Sequence, residues 1–141
     1  VTDLQQDFRD LDRANDPQAG LRLLDTVGAN AEAQEYKNLT FDMLELAPGQ
    51  AVLDVGCGTG DDARTLATRA GPGGRVVGVD MSEAAIAEAT RRSSGSGVPV
   101  EFRRGNALAL EFPPDQFDRV RADRVFQHLE DPIRALRELV R

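Results

Sequence analysis

The sequence predicts an α/β fold, a parallel sheet wrapped by helices and preceded by a helical segment. Three observations predict it. After Pro48-Gly49, short apolar runs alternate with stretches of helical periodicity. The runs are almost continuously apolar, as strands covered on both faces must be. The first run opens directly into Gly56-Cys57-Gly58-Thr59-Gly60, and a helical pattern follows that loop. Strands joined by helices in this way pair in parallel through right-handed crossovers.

Residues 1–47 read as a helical cap. Leu4, Phe8 and Leu11 share one helical face. Asp16-Pro17 is a start signal for a second helix, with Leu21, Leu24 and Val27 at helical spacing. A third runs from about Ala31 to Leu46, with Tyr36, Leu39, Met43 and Leu44 as its apolar side. Residues 48–141 form the α/β part. Ala51 to Val55 is the first strand, and the helix after the glycine loop buries Ala63, Leu66 and Ala67. Gly71 to Gly74 is a turn, and Arg75 to Val79 is the second strand, ending at Asp80. Ser82 caps the next helix, which faces Ala85, Ile86 and Ala89 inward. Pro99 to Phe102 and Phe117 to Arg121 are the third and fourth strands. Asp131-Pro132 starts a last helix, with Ile133, Leu136, Leu139 and Val140 on one side.

Composition narrows the function. The 141 residues carry a net charge of −7, which gives no general attraction to nucleic acid or anionic membrane. Arg91-Arg92 and Arg103-Arg104 read as solvated surface pairs. Cys57 is the one cysteine and His128 the one histidine, so neither a disulfide nor a zinc site is expected. No run is long enough to span a bilayer, and the first residues lack the pattern of a secretory signal. A cytoplasmic location is the expectation.

In a parallel α/β sheet, ligands bind beyond the carboxyl ends of the strands. Here those ends are Asp54 to Gly60, Asp80-Met81, Gly105 to Ala107 and Ala122-Asp123. The alternating glycines allow a ligand to approach the backbone, and the helix start offers free N–H groups. The other reading is a glycine-rich connecting turn without a ligand. Asp80, ending the next strand, suits a pair of ribose hydroxyls, although it could instead cap the following helix. A dinucleotide fingerprint asks for a small residue where this chain has Asp61. Asp54, Asp61 and Asp62 around the loop favour a cationic cofactor without phosphate.

Val52 to Gly60 resembles the first motif of class I S-adenosylmethionine-dependent methyltransferases, and Val76 to Ser82 resembles their second. Gly105-Asn106-Ala107 resembles the segment that brackets adenine, with Asn106 where Asp is usual. Phe117 to Val120 with Gln127 to Pro132 resembles the ubiquinone/menaquinone type of small-molecule methyltransferase. The resemblance implies a Rossmann-like sheet in the order 3-2-1-4. It also implies S-adenosylmethionine as cofactor, S-adenosylhomocysteine as product, and methyl transfer to O, N or C of a small molecule. Residue by residue, it implies that Gly56, Cys57 and Gly58 line the methionine part and Asp54 holds its amino group, directly or through water. Asp80 takes the ribose, Met81 packs on adenine, and Asn106 and Ala107 flank the ring. Ala122 and Asp123 lie near the methionine end, and Tyr36 either closes over the cofactor or packs on the core. His128 is either a general base or a structural hydrogen-bonding group. Two rivals stay open: a non-catalytic cofactor-binding or protein-interaction module, and a nicotinamide-dependent oxidoreductase. The family continues through three more strands, so the chain is expected to be incomplete after its fourth. That strand would then be an open edge through which copies could associate.

Overall fold

The computed structural model describes residues 11–13 and 16–141. Leu4 and Phe8 lie outside them. Four strands form one parallel sheet: β1 (Ala51–Val55), β2 (Arg75–Asp80), β3 (Val100–Arg104) and β4 (Arg119–Ala122), in the order β3-β2-β1-β4. Five helices accompany it: α1 (Pro17–Gly28), α2 (Ala31–Met43), α3 (Asp61–Ala70), α4 (Glu83–Ser93) and α5 (Pro132–Val140). The order is that of a Rossmann-like sheet, and it reverses direction between β1 and β4.

Helix starts follow the sequence signals. The side chains of Asp16, Ser82 and Asp131 accept backbone amides of their own first turns, and Pro17 and Pro132 occupy the position where no amide is missed. Strand alternation then divides the core. Val52 and Val76 face one side, against Phe41 of α2 and Ala63, Leu66, Ala67 and Ala70 of α3. Leu53, Val55, Val77 and Val79 face the other, against Leu110 and Leu139.

One helix face differs from the expectation. On α2, Tyr36, Leu39 and Met43 are exposed, and the buried residues are Lys37 and Phe41. Phe41 is the anchor, so the residue one turn before it turns inward although it is charged. On α5, Ile133, Leu136 and Val140 are exposed, while Ala135 is buried and Leu139 packs on the core. Ala135 and Leu139, four apart, define the packed stripe.

The first elements are bound to the sheet by polar ties. Asp12 accepts hydrogen bonds from Ser82 Oγ at 2.6 Å and from the amides of Glu83 and Ala84, at the start of α4. Asp25 of α1 accepts both arms of Arg92 at 2.8 Å. Leu11 and Leu21 are buried with Ala85 of α4.

Candidate cofactor pocket and active site

A cavity of about 360 Å³ opens beyond the carboxyl ends of β1, β2 and β4, the size of a small-ligand site. Its walls come from the glycine loop, the end of β2, the turn after β3, the loop after β4, and Leu11 and Leu24 of the first elements.

The glycine loop is shaped by its neighbours. Gly56 has φ 73°, and a Cβ there would lie 2.2 Å from Val125 Cγ2, so the loop after β4 seats directly on this backbone. Gly58 has φ 52°, and the nearest atom to a Cβ would be Leu24 Cδ1 at 3.7 Å. Gly58 therefore borders open pocket. Its amide donates to Asp80 Oδ2 at 2.9 Å, and Ser82 N donates to Asp80 Oδ1 at 2.9 Å. One backbone amide on each oxygen fixes the carboxylate and leaves lone pairs for further donors. Burial pushes the Asp80 carboxyl up, against the pull of the amides of Ser82, Gly58 and Met81. The helix-capping role falls to Ser82, which accepts from Ala85 N, and to Asp12.

The floor is charged. Strand register places Asp54 of β1 opposite Arg121 of β4. Asp54 is 2% exposed and Arg121 7%. Arg121 Nη1 lies 3.4 Å from Asp54 Oδ1 and 3.0 Å from Asp62 Oδ2, and Nη2 lies 3.3 Å from Asp123. Lys37, 5% exposed, donates to Asp62 at 2.9 Å. Asp54 Oδ2 is buried and has no hydrogen-bond partner among the described residues. Burial, only partly offset by Arg121, pushes the Asp54 carboxyl up to about 7. Cys57 lies beside it as a buried thiol, with its ionisation pushed up by burial.

Of the residues expected at the site, Asp54, Gly56, Cys57, Gly58, Asp80, Met81, Asn106, Ala107, Asp123 and His128 line the cavity. Met81 is largely exposed at its lip. Asn106 Oδ1 accepts from Leu108 N, so its amide oxygen already serves its own turn. His128 sits in a short 3₁₀ turn, Phe126–His128, with its Nε2 3.0 Å from Gln127 Nε2. Tyr36 and Ala122 are not among the lining residues. Tyr36 lies on the outer side of α2, and its neighbour Lys37 enters the pocket instead. Ala122 follows Arg121 on β4, so alternation turns it to the opposite core. Lys37, Arg121 and Arg124 are wall residues that sequence reading missed. The signal for Arg121 was available: it is the inward partner of Asp54 once the fourth strand is placed beside the first. Arg124 holds φ 56° at the pocket wall and pairs with Asp123 at 3.5 Å.

The donor and acceptor set suits a nucleoside joined to an amino acid. The cavity wall carries two carboxylates with acceptor capacity to spare, Asp80 beside its two amides and Asp54 with its buried Oδ2. The sequence model of the family described as methyltransferase domain matches residues 52–141. This chain belongs to that family, the S-adenosylmethionine-dependent methyltransferases of class I. Among curated relatives of this methyltransferase-domain chain, it is 41% identical over 106 residues to 2-phytyl-1,4-naphtoquinone methyltransferase of Thermosynechococcus vestitus. That match covers 75% of this chain and 47% of the relative. It is 43% identical over 98 residues to demethylmenaquinone methyltransferase of Thermus thermophilus, covering 70% of this chain and 44% of the relative. The chain thus spans less than half the length of these relatives. Among solved structures, phosphoethanolamine N-methyltransferase 2 of Haemonchus contortus, with S-adenosylhomocysteine bound, superposes with TM-score 0.79 and 27% identity, over 93% of this chain and 32% of that one. Among the described residues no helix is long and apolar enough to cross a membrane.

Proposed function

We propose that this chain is the cofactor-binding part of an enzyme that moves a methyl group from S-adenosylmethionine to O, N or C of a small molecule. The observation that carries the reading is the buried, unpartnered Oδ2 of Asp54 on the wall of the pocket. A buried charged acceptor left without a donor is costly, and the cofactor's ammonium would supply the donor. The names of the quinone-methylating relatives support a small-molecule acceptor, and we extend that class to this chain. We take residues 48–141 as the binding domain and residues 1–47 as its cap, a division that the strand–helix alternation after Pro48 supports. We place the activity in the cytoplasm.

When bound, S-adenosylmethionine supplies an electrophilic methyl group on a sulfonium sulfur. The chain's own contribution is alignment and exclusion of water. Asp80, fixed by the amides of Gly58 and Ser82, holds the ribose. Gly58 leaves room for the amino-acid arm. Met81 and Ala107 flank the adenine, and Asn106 meets its edge. Leu11 and Leu24 close one side. His128, on the far wall, accepts a proton where the acceptor must lose one.

Calorimetry with S-adenosylhomocysteine tests the reading. Asp80→Ala is expected to weaken binding by about 10- to 150-fold, the worth of hydrogen bonds to a charged group. Equal affinity in wild type and variant would remove Asp80 from the site. Absence of binding to the wild-type chain would favour an interaction module instead.

A further inference from the structure

The loop after β4 carries a guanidinium that its surroundings do not account for. Arg124 borders the cavity and holds φ 56°, a left-handed backbone that glycine takes at little cost and an arginine does not. Among the described residues two other non-glycine positions have positive φ, Glu45 and Asp115, and neither borders the cavity. Strain kept at a pocket wall points to a side chain held there for use. Its one partner is poor. Arg124 Nε lies 3.5 Å from Oδ2 of Asp123, an oxygen that already stands 3.3 Å from Arg121 Nη2. No other acceptor among the described residues meets its guanidinium. A fork of five N–H donors is therefore largely unspent.

The other charges of the wall are matched. Lys37 and Arg121 close on Asp62 at 2.9 and 3.0 Å, and both are buried. Asp61 pairs with Arg64, and Asp80 takes two amides. Arg124, its side chain 40% exposed, is the wall cation left for a second ligand. Its place suits one that meets the cofactor. The next residue, Val125, seats on the glycine loop at Gly56, and the turn Phe126–His128 follows. Arg124 and His128 thus flank that seat on one wall, both bordering the cavity. A cofactor whose amino-acid arm lies along the glycine loop carries its methyl group past this wall.

We propose that Arg124 receives the methyl acceptor through a negatively charged oxygen, so that the acceptor is an anion of the carboxylate, phenolate or enolate type. This rests on the cofactor reading above. The planar fork of a guanidinium matches such oxygens, and its charge holds an acidic hydroxyl in the ionised form. Arg124 is then a binding residue that selects the acceptor by charge.

The test uses the chain saturated with S-adenosylhomocysteine, whose own binding is measured first by calorimetry. Three probes are then titrated: 4-nitrophenolate, benzoate, and the neutral 4-nitroanisole. The wild-type chain is expected to bind at least one anion about tenfold or more tighter than 4-nitroanisole, since hydrogen bonds to charged groups carry that much. The stronger of the two anions tells whether the acceptor's oxygen is of the phenolate or the carboxylate kind. Arg124→Gly suits the left-handed backbone, so its melting temperature is expected to match or exceed that of wild type while the preference for anions is lost. Arg124→Asn, which also tolerates that backbone, repeats the test without the charge. A wild-type chain that binds S-adenosylhomocysteine but favours neither anion, or takes no probe, would overturn the proposal and leave the cofactor reading intact. A preference that survives in Arg124→Gly or Arg124→Asn would also overturn it. So would loss of S-adenosylhomocysteine binding in folded variants, which would make Arg124 a cofactor residue. A wild-type chain that does not bind S-adenosylhomocysteine would overturn both readings.

Discussion

Asp54 is an acid held where its charge is expensive until a cation arrives. Its carboxyl is pushed up to about 7 by burial, with Arg121 pulling the other way and Asp62 adding to the push. An ammonium ligand needs the ionised form. Below about pH 7 the ligand must displace a proton, so affinity for S-adenosylhomocysteine is expected to fall by a factor approaching tenfold per pH unit. Asp54→Asn should flatten that profile, and a profile unchanged by the substitution would separate Asp54 from the ammonium. Stability of the ligand-free chain runs in the opposite sense. The folded carboxyl binds its proton more tightly than the unfolded one, with its ordinary value near 3.9. Asp54 therefore favours the folded chain at low pH and withdraws that support as pH rises from about 4 to about 7. The difference between the melting temperatures of wild type and Asp54→Asn should follow that curve. At the far wall, His128→Ala should lower turnover by about 10²- to 10⁴-fold if the acceptor must be deprotonated. A loss below about tenfold, with folding intact, would make His128 structural.

At the scale of elements, the glycine loop performs two separable tasks. Gly56 is required by packing, because a side chain there meets Val125. Gly58 borders the pocket, so a side chain there would fill space that a ligand would need. Gly56→Val is thus expected to lower the melting temperature as well as binding, whereas Gly58→Val should abolish binding with the smaller loss of stability. Thermal melts paired with calorimetry would resolve the two, and identical losses in both variants would refute the division. These tasks explain what was legible in the sequence. Strands and helix starts were read correctly because apolar runs, Asp-Pro pairs and Ser82 act locally. The start of β3 was placed at Pro99 and that of β4 at Phe117, whereas pairing begins at Val100 and Arg119. The inward face of α2 is not legible because Leu39 and Met43 look like core until the packing partner is known. Lys37 and Arg121 were passed over for the converse reason. A charged residue reads as solvated, and only the register of β4 beside β1 turns Arg121 inward, while Lys37 is drawn in by Asp62 and the packing of Phe41.

For the molecule as a whole, the two edges of the described sheet are unlike. β3 carries Glu101, Arg103 and Arg104, charges that discourage another strand from pairing. β4, with β1 as its one neighbour among the described residues, also carries Arg119 and Arg121, but α5, whose Leu139 packs in the same cluster as Val120, exposes Ile133, Leu136 and Val140. That side is where association of the 141-residue chain is expected. Sedimentation velocity should show mass rising with concentration. The double variant Leu136→Glu with Val140→Glu should shift it toward monomer, with affinity for S-adenosylhomocysteine retained. A wild-type chain that stays monomeric at every concentration would exclude this surface.

The hold of Asp12 on the start of α4 bears on how fast a bound molecule could leave. Leu11, beside it in sequence, forms part of the cavity wall, and the carboxylate of Asp12 fastens that wall to Ser82, Glu83 and Ala84. While the fastening holds, Leu11 stays against a bound ligand and slows its departure. Residence time, rather than arrival rate, is then what the fastening governs. Asp12→Ala should shorten the lifetime of the S-adenosylhomocysteine complex in stopped-flow displacement while leaving the association rate nearly constant. The first described turn of the chain would in that case act as a latch on cofactor exchange, set about seventy residues from the helix it fastens.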